Sequence, residues 1–177
     1  MTPQEFQAAI PKLLSWIRET LASTAGQARS VAAAGFSRLP LYYSQEVLRS
    51  AKFVVVSKIP VPPLSAMGLQ DLAEFEKLDF GGITYLDTFF LRQERATDEG
   101  LHFHELVHVV QWRLLGPERF LAIYAAGLAA YDYRNSPLEV MAYDAETEFR
   151  NSLKPFNMEK RVEEGLNRIL SATSNRR

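Results

Sequence analysis

Twenty lysines and arginines against 21 acids leave this 177-residue chain at a net charge of −1, with the two signs interspersed. That balance excludes the electrostatic footprint of a nucleic-acid or anionic-membrane binder, and the lack of cysteine excludes disulfides and a cysteine-rich structural zinc site. An apolar content of 47% with 23% charged residues is that of a globular chain, long enough for one domain and too short for two ordinary ones.

Met1-Thr2-Pro3-Gln4-Glu5 is polar and acidic where a secretory signal needs positive charge followed by an apolar run. No segment reaches the roughly 18 consecutive apolar residues of a membrane span, so the expectation is a cytoplasmic protein. Thr2-Pro3-Gln4-Glu5 has the form of a capping box with proline at the first helical position. Phe6, Ile10, Leu13, Leu14, Ile17 and Leu21 follow at helical spacing and make one apolar stripe, which Pro11 is expected to kink or split. Ala25 to Ala34 is rich in small residues and reads as further helix, giving an N-terminal helical segment over 3–34. Gly35 to Tyr43 is a connection.

A single α+β core over about 45–153 comes next. Ser44 caps a short helix through Leu48, and Lys52-Phe53-Val54-Val55-Val56-Ser57 reads as a strand that Pro60, Pro62 and Pro63 end. Gly68 to Leu78 is a short helix and turn. Gly81-Gly82 opens a second strand, Ile83 to Leu86, and Thr88 to Leu91 is a third; Leu86-Asp87 is a tight turn between them or a bulge within one bent strand. Thr97 is the expected N-cap of a deeply apolar helix from Leu101 to Leu115 that Gly116-Pro117 stops. Phe120, Leu121, Tyr124, Ala125 and Leu128 form the next helical face. Ser136-Pro137-Leu138-Glu139 starts a helix to about Leu153, and a last amphipathic helix spans 157–171. Ser171 to Arg177 reads as a frayed polar tail.

The stretch that carries chemistry is His104-Glu105-Leu106-Val107-His108. On a helix the two histidines lie one turn apart on one face, so both imidazoles reach one metal ion, and the carboxylate between them sits beside it as a general base. The chain has only three histidines, all within residues 102–108. His102 lies roughly 200° around the helix from His104 and cannot join the same site. A catalytic zinc takes three protein ligands and leaves the fourth position to water. Gln111 and Leu114 stand where a metzincin would have glycine and histidine, so the third ligand falls to a downstream carboxylate. Glu139 leads, although three residues after Ser136 it can equally close a capping box. Glu146, two turns along the same face, Asp144 and Asp132 are the other carboxylates in range, as ligands or as groups that orient a histidine. Tyr131, Tyr133, Tyr143 and Arg134 are the donors available to an oxyanion, and Gln111 lies below the histidine pair as a supporting group.

His104-Glu105-Leu106-Val107-His108-Val109-Val110-Gln111-Trp112, followed by Tyr133-Arg134-Asn135-Ser136-Pro137-Leu138-Glu139, resembles the small gluzincin-type zincin metallopeptidases over about residues 45–150. The resemblance implies a helix-rich zincin-like fold with a small mixed sheet packed on the active-site helix, and one Zn²⁺ held by His104, His108 and Glu139. It further implies Glu105 as general base, a peptide or protein substrate, and a sheet edge within Ile83 to Leu91 that pairs with an extended substrate. Thermolysin-like gluzincins place an Asp four residues after the glutamate ligand to orient a histidine. Tyr143 stands there in this chain. The expected function is a zinc-dependent metallopeptidase. The alternatives are a zinc-binding zincin-fold protein with little or no turnover, acting as a binding or scaffold module, and a helical partner- or membrane-binding module in which the motif is coincidental. The sequence leaves the oligomeric state open.

Overall fold

The computed structural model describes residues 2–174. Among these it is an α+β structure, 64% helical, with seven α-helices and a small mixed four-stranded sheet. Helix α1 (Pro3–Thr24) begins at the capping box: the Thr2 hydroxyl accepts from the Glu5 N–H at 3.2 Å, and the Glu5 carboxylate accepts from the Thr2 N–H at 2.6 Å. The helix is not split at Pro11. Phe6, Ile10, Leu13, Leu14 and Ile17 are buried on both sides of the proline, and that continuous packed stripe outweighs the ~3 kcal/mol an interior proline costs. The expected helical continuation through Ala34 is absent. Residues Ala25–Gln27 and Val31–Ala34 are 3₁₀ turns flanking the two-residue strand β1 (Arg29–Ser30). Here pairing overrides the alanine propensity: Arg29 and Ser30 align with Phe53 and Lys52, and the Ser30 hydroxyl donates to the Leu48 carbonyl.

Ser44 caps α2 (Gln45–Ser50), which leads into β2 (Lys52–Val56). After a proline-rich crossing and the single turn α3 (Ala73–Glu76), the hairpin β3 (Gly82–Tyr85) and β4 (Thr88–Arg92) completes the sheet in the order β1-β2-β4-β3. Strand β2 runs parallel to β4, and β3 antiparallel to it. The hairpin turns tightly through Leu86 in the left-handed region, at φ 58°.

Helix α4 (Glu99–Leu115) is the centre of the molecule. Every residue from Gly100 to Trp112 is buried, and β3, β4, α5 (Pro117–Tyr131), α6 (Pro137–Asn151) and α7 (Met158–Ser174) all pack on it. Its N-cap is Asp98 rather than Thr97: the Asp98 carboxylate accepts from the Leu101 N–H at 3.2 Å. Gly116, at φ 73°, ends α4, and Pro117 opens α5 at once. Helix α6 stops at Asn151, short of the expected Leu153, whereas α7 continues through Ser174 into the stretch expected to fray; residues 175–177 lie outside the described residues. Buried apolar side chains from Phe6 to Leu166 form one cluster. Among the described residues no helix is long and apolar enough to cross a membrane.

Candidate metal centre

The i, i+4 spacing on α4 turns His104 and His108 to the same face, towards α6. Their Nε2 atoms face each other at 3.2 Å. Helix α6 supplies Glu139 from its first turn, with Oε2 3.6 Å from His104 Nε2 and Oε1 3.4 Å from His108 Nε2. None of the three is more than 5% exposed. The capping box at the start of α6 is not formed: the Ser136 hydroxyl makes no cap bond, and Glu139 turns inward instead.

These residues fit a small divalent cation. Zinc bonds of ~2.0–2.1 Å in a tetrahedron set ligand atoms about 3.3–3.4 Å apart; here the two Nε2 atoms are 3.2 Å apart, each has its own Glu139 oxygen at 3.4 or 3.6 Å, and one ligand atom from each residue lies within 4.8 Å of the others. Glu139 Oε2 is buried without a hydrogen-bond partner, a costly arrangement that a bound cation relieves. The outer ring nitrogens are already engaged. His104 Nδ1 lies 3.1 Å from Glu146 Oε2, and His108 Nδ1 2.8 Å from Gln111 Oε1. Gln111 donates its amide N–H to the Leu138 carbonyl at 3.0 Å, which assigns its oxygen as the acceptor facing His108. His108 therefore donates from Nδ1 to Gln111, which leaves Nε2 as the ring atom facing His104 and Glu139. Glu146 thus fixes the orientation of the His104 ring, and Arg150 holds Glu146 in turn at 2.8 Å.

The electrostatics ask for positive charge. Burial opposes the charged form of His104, but the carboxylates of Glu139, Glu146 and Glu105 around it push its pKa up to about 10. Burial favours the neutral form of Glu139, yet the two histidines hold its pKa well below the usual carboxylate range. Glu105 behaves oppositely: burial raises its pKa and the His104 and His108 charges only partly offset this.

Three residues build the site without having been singled out from the sequence. Thr84, on the edge strand β3, donates its hydroxyl to Glu105 Oε2 at 2.6 Å. Tyr124, on α5, donates to Glu139 Oε1 at 2.6 Å. Gly82 leaves room for the Glu105 carboxylate, since a Cβ there would lie 2.5 Å from Glu105 Oε1. Tyr124 was legible only as part of an apolar helix face, and Thr84 only as a strand residue. The Gly81-Gly82 pair was the one local signal of a close approach.

The remaining candidates divide. The Tyr143 ring packs against His104 with centroids 4.6 Å apart, and the Arg134 guanidinium lies 5.2 Å over the Tyr143 ring. Tyr131 is half exposed at the last turn of α5, and Asp132 and Asp144 are exposed; none of the three is brought to the triad. His102 points away into an aromatic nest of Phe36, Phe53 and Phe89, with Nε2 2.9 Å from the Ala96 carbonyl.

Two cavities meet at Gly82, Glu105 and Tyr133. One, of about 80 Å³, is apolar, touches His108 and Glu139, and is roofed by Phe6, Leu13 and Ile17 of α1. The other, of about 520 Å³, is polar and reaches His104 between Arg134, Tyr143, Glu146 and Arg150. Neither a known protein family nor a curated protein or solved structure matches this chain.

Proposed function

We propose that the chain is a zinc-dependent peptidase of zincin type, with His104, His108 and Glu139 as ligands and Glu105 as general base. The observation that carries the reading is a pair of buried Nε2 atoms 3.2 Å apart, each 3.4–3.6 Å from an oxygen of the buried Glu139 carboxylate, beside a second carboxylate, Glu105, held by its own hydrogen bond. Zinc in such a site lowers the pKa of a bound water and polarises a carbonyl. Glu105 takes a proton from the attacking water and delivers it to the leaving nitrogen as the C–N bond breaks, so that water and peptide become a carboxylate and an amine. Thr84 keeps the carboxylate of Glu105 in one pose between these two transfers. Tyr133, at the junction of the cavities, is the hydroxyl donor for the oxyanion; burial, and then the charge of Glu139, keep it protonated at neutral pH.

Strand β3 is the sheet edge beside the base. The Arg92 N–H donates to the Gly81 carbonyl, so by alternation Gly82 turns its backbone groups to the free edge. The Thr84 carbonyl, which also faces outward, is already taken by the Trp112 indole N–H at 3.2 Å. An extended substrate therefore pairs at Gly82.

The roof of α1 favours a second reading, a zinc-holding protein with little turnover, because about 80 Å³ admits one modest side chain on the apolar side. One experiment addresses both. Purified protein should hold about one zinc per chain, and Glu105→Gln should retain zinc and fold while peptidase activity on a broad peptide library falls by about two to four orders of magnitude. Protein without stoichiometric zinc overturns both readings. Stoichiometric zinc with no turnover in the wild type leaves the second.

A further inference from the structure

We infer that Arg134 is a specificity residue that binds a carboxylate of the substrate in the open polar cavity, an inference that rests on the peptidase reading of the same site. Three arginines line this cavity: Arg95, Arg134 and Arg150. Arg95 is paired with Asp98 at 2.7 Å, and Arg150 with Asp98 at 2.7 Å and Glu146 at 2.8 Å. The cavity's own acids are likewise committed, Asp79 to Arg92, Glu146 to Arg150 and His104, and Glu105 to the Thr84 hydroxyl. In the adjoining groove Glu74 is paired with Lys77, and Asp132 accepts from Asn135. Among the described residues no carboxylate is ion-paired with Arg134. Its guanidinium rests instead on the Tyr143 ring, which packs on His104.

This stack gives the charge a fixed address. A guanidinium laid on an aromatic face keeps its edge N–H groups free and oriented, and those groups match a carboxylate as a two-pronged fork. Because the cation is tied through Tyr143 to His104, the bound carboxylate sits at a set offset from the reacting centre. The apolar chamber shares Glu105 with this cavity but reaches His108 and Glu139 rather than His104, so the substrate is a peptide with a modest aliphatic side chain on one flank of the scissile bond and a carboxylate on the other. That carboxylate is either the chain terminus or an Asp or Glu side chain.

The test uses the zinc-loaded Glu105→Gln variant, which binds without turning over, and acetylated hexapeptides carrying one leucine. Four versions combine a C-terminal carboxylate or carboxamide with glutamate or glutamine beside the leucine. Calorimetry should show one of the two carboxylates tightening binding by about ten- to a hundredfold; which one it is identifies the source. Arg134→Gln in the same background should erase that preference, and Arg134→Lys should keep part of it, as a point charge lacking the fork. Equal binding of all four peptides, no binding of any, or a preference that survives Arg134→Gln overturns the inference. Wild-type turnover separates it from the parent reading: cleavage indifferent to the carboxylates removes Arg134 alone. Arg134-dependent binding without cleavage removes the peptidase and keeps the carboxylate site.

Discussion

Substituting Gly82 by alanine separates the base from the metal. The added Cβ would lie 2.5 Å from Glu105 Oε1, 3.0 Å from its Cδ and 3.0 Å from Leu91 Cδ2, distances that packed carbons do not tolerate. The far end of a glutamate ordinarily swings aside at little cost, but this carboxylate is pinned by Thr84 at 2.6 Å. Moving it breaks a buried hydrogen bond to a charged group, worth about 1.5–3 kcal/mol. Gly82 is not among the positive-φ glycines, so alanine also stiffens the unfolded chain and returns about 0.4–1 kcal/mol. The net loss of folding stability is about 1–2 kcal/mol, read by urea denaturation. Turnover, which depends on the pose of Glu105, should fall about 10- to 150-fold, the same 1.5–3 kcal/mol expressed as a rate. Zinc affinity should stay within about threefold of wild type, because none of the three ligands touches Gly82. Wild-type stability together with full turnover would refute the argument that the edge strand fixes the base, and loss of zinc would show that the strand supports the ligands as well.

Tyr124→Phe removes the hydrogen bond to Glu139 Oε1 and leaves both carboxylate oxygens without a donor; zinc affinity by chelator competition should drop about 10- to 100-fold, and an unchanged affinity would mean that Glu139 is held by packing alone. Glu139→Gln should lose tight zinc binding, whereas Glu146→Gln, which alters the shared partner of His104 Nδ1 and Arg150, should weaken it about 10- to 100-fold. The reverse order would reassign the third ligand. His102→Ala should keep one zinc per chain while costing on the order of 3 kcal/mol of stability, as the emptied aromatic nest relaxes only in part. His104→Ala should do the opposite and lose the metal, so matching zinc content in the two variants would undo the division of the histidines.

What could be read from the sequence was whatever depends on near neighbours. The capping box at Thr2, the Ser44 cap, the turn at Leu86-Asp87 and the stop at Gly116-Pro117 are local choices of backbone conformation, and they are found where residue chemistry puts them. The same holds for the face shared by His104 and His108 and for the exclusion of His102, which follow from helical pitch. Two kinds of expectation failed. At Ala25–Ala34 the local preference for helix lost to strand pairing with Lys52 and Phe53, a partner more than 20 residues away. At α4 the cap moved by one residue, because the Asp98 carboxylate is also drawn into ion pairs with Arg95 and Arg150. Thr84, Tyr124 and Gly82 were out of reach for a third reason. Each meets the site across 15 or more positions of chain, and only the Gly81-Gly82 pair carries a local trace of that contact. Spacing also left Glu139 undecided between ligand and cap, and the capping bond from the Ser136 hydroxyl is not made.

The burial of α4 on every side has a consequence in time as well as in space. A helix enclosed by a sheet and three other helices has no face from which to fray, so its amides exchange with solvent only when the whole molecule opens. Glu139 stands differently: the turn just before it, through Asp132 and Asn135, is exposed, and Asp132 sits at φ 72°. The ligand set thus joins a slow part of the protein to a faster one. Zinc bound to the folded state alone should therefore slow the exchange of α4 by the full factor by which it lowers the unfolded fraction, and should slow α6 as well by tying its first turn to α4.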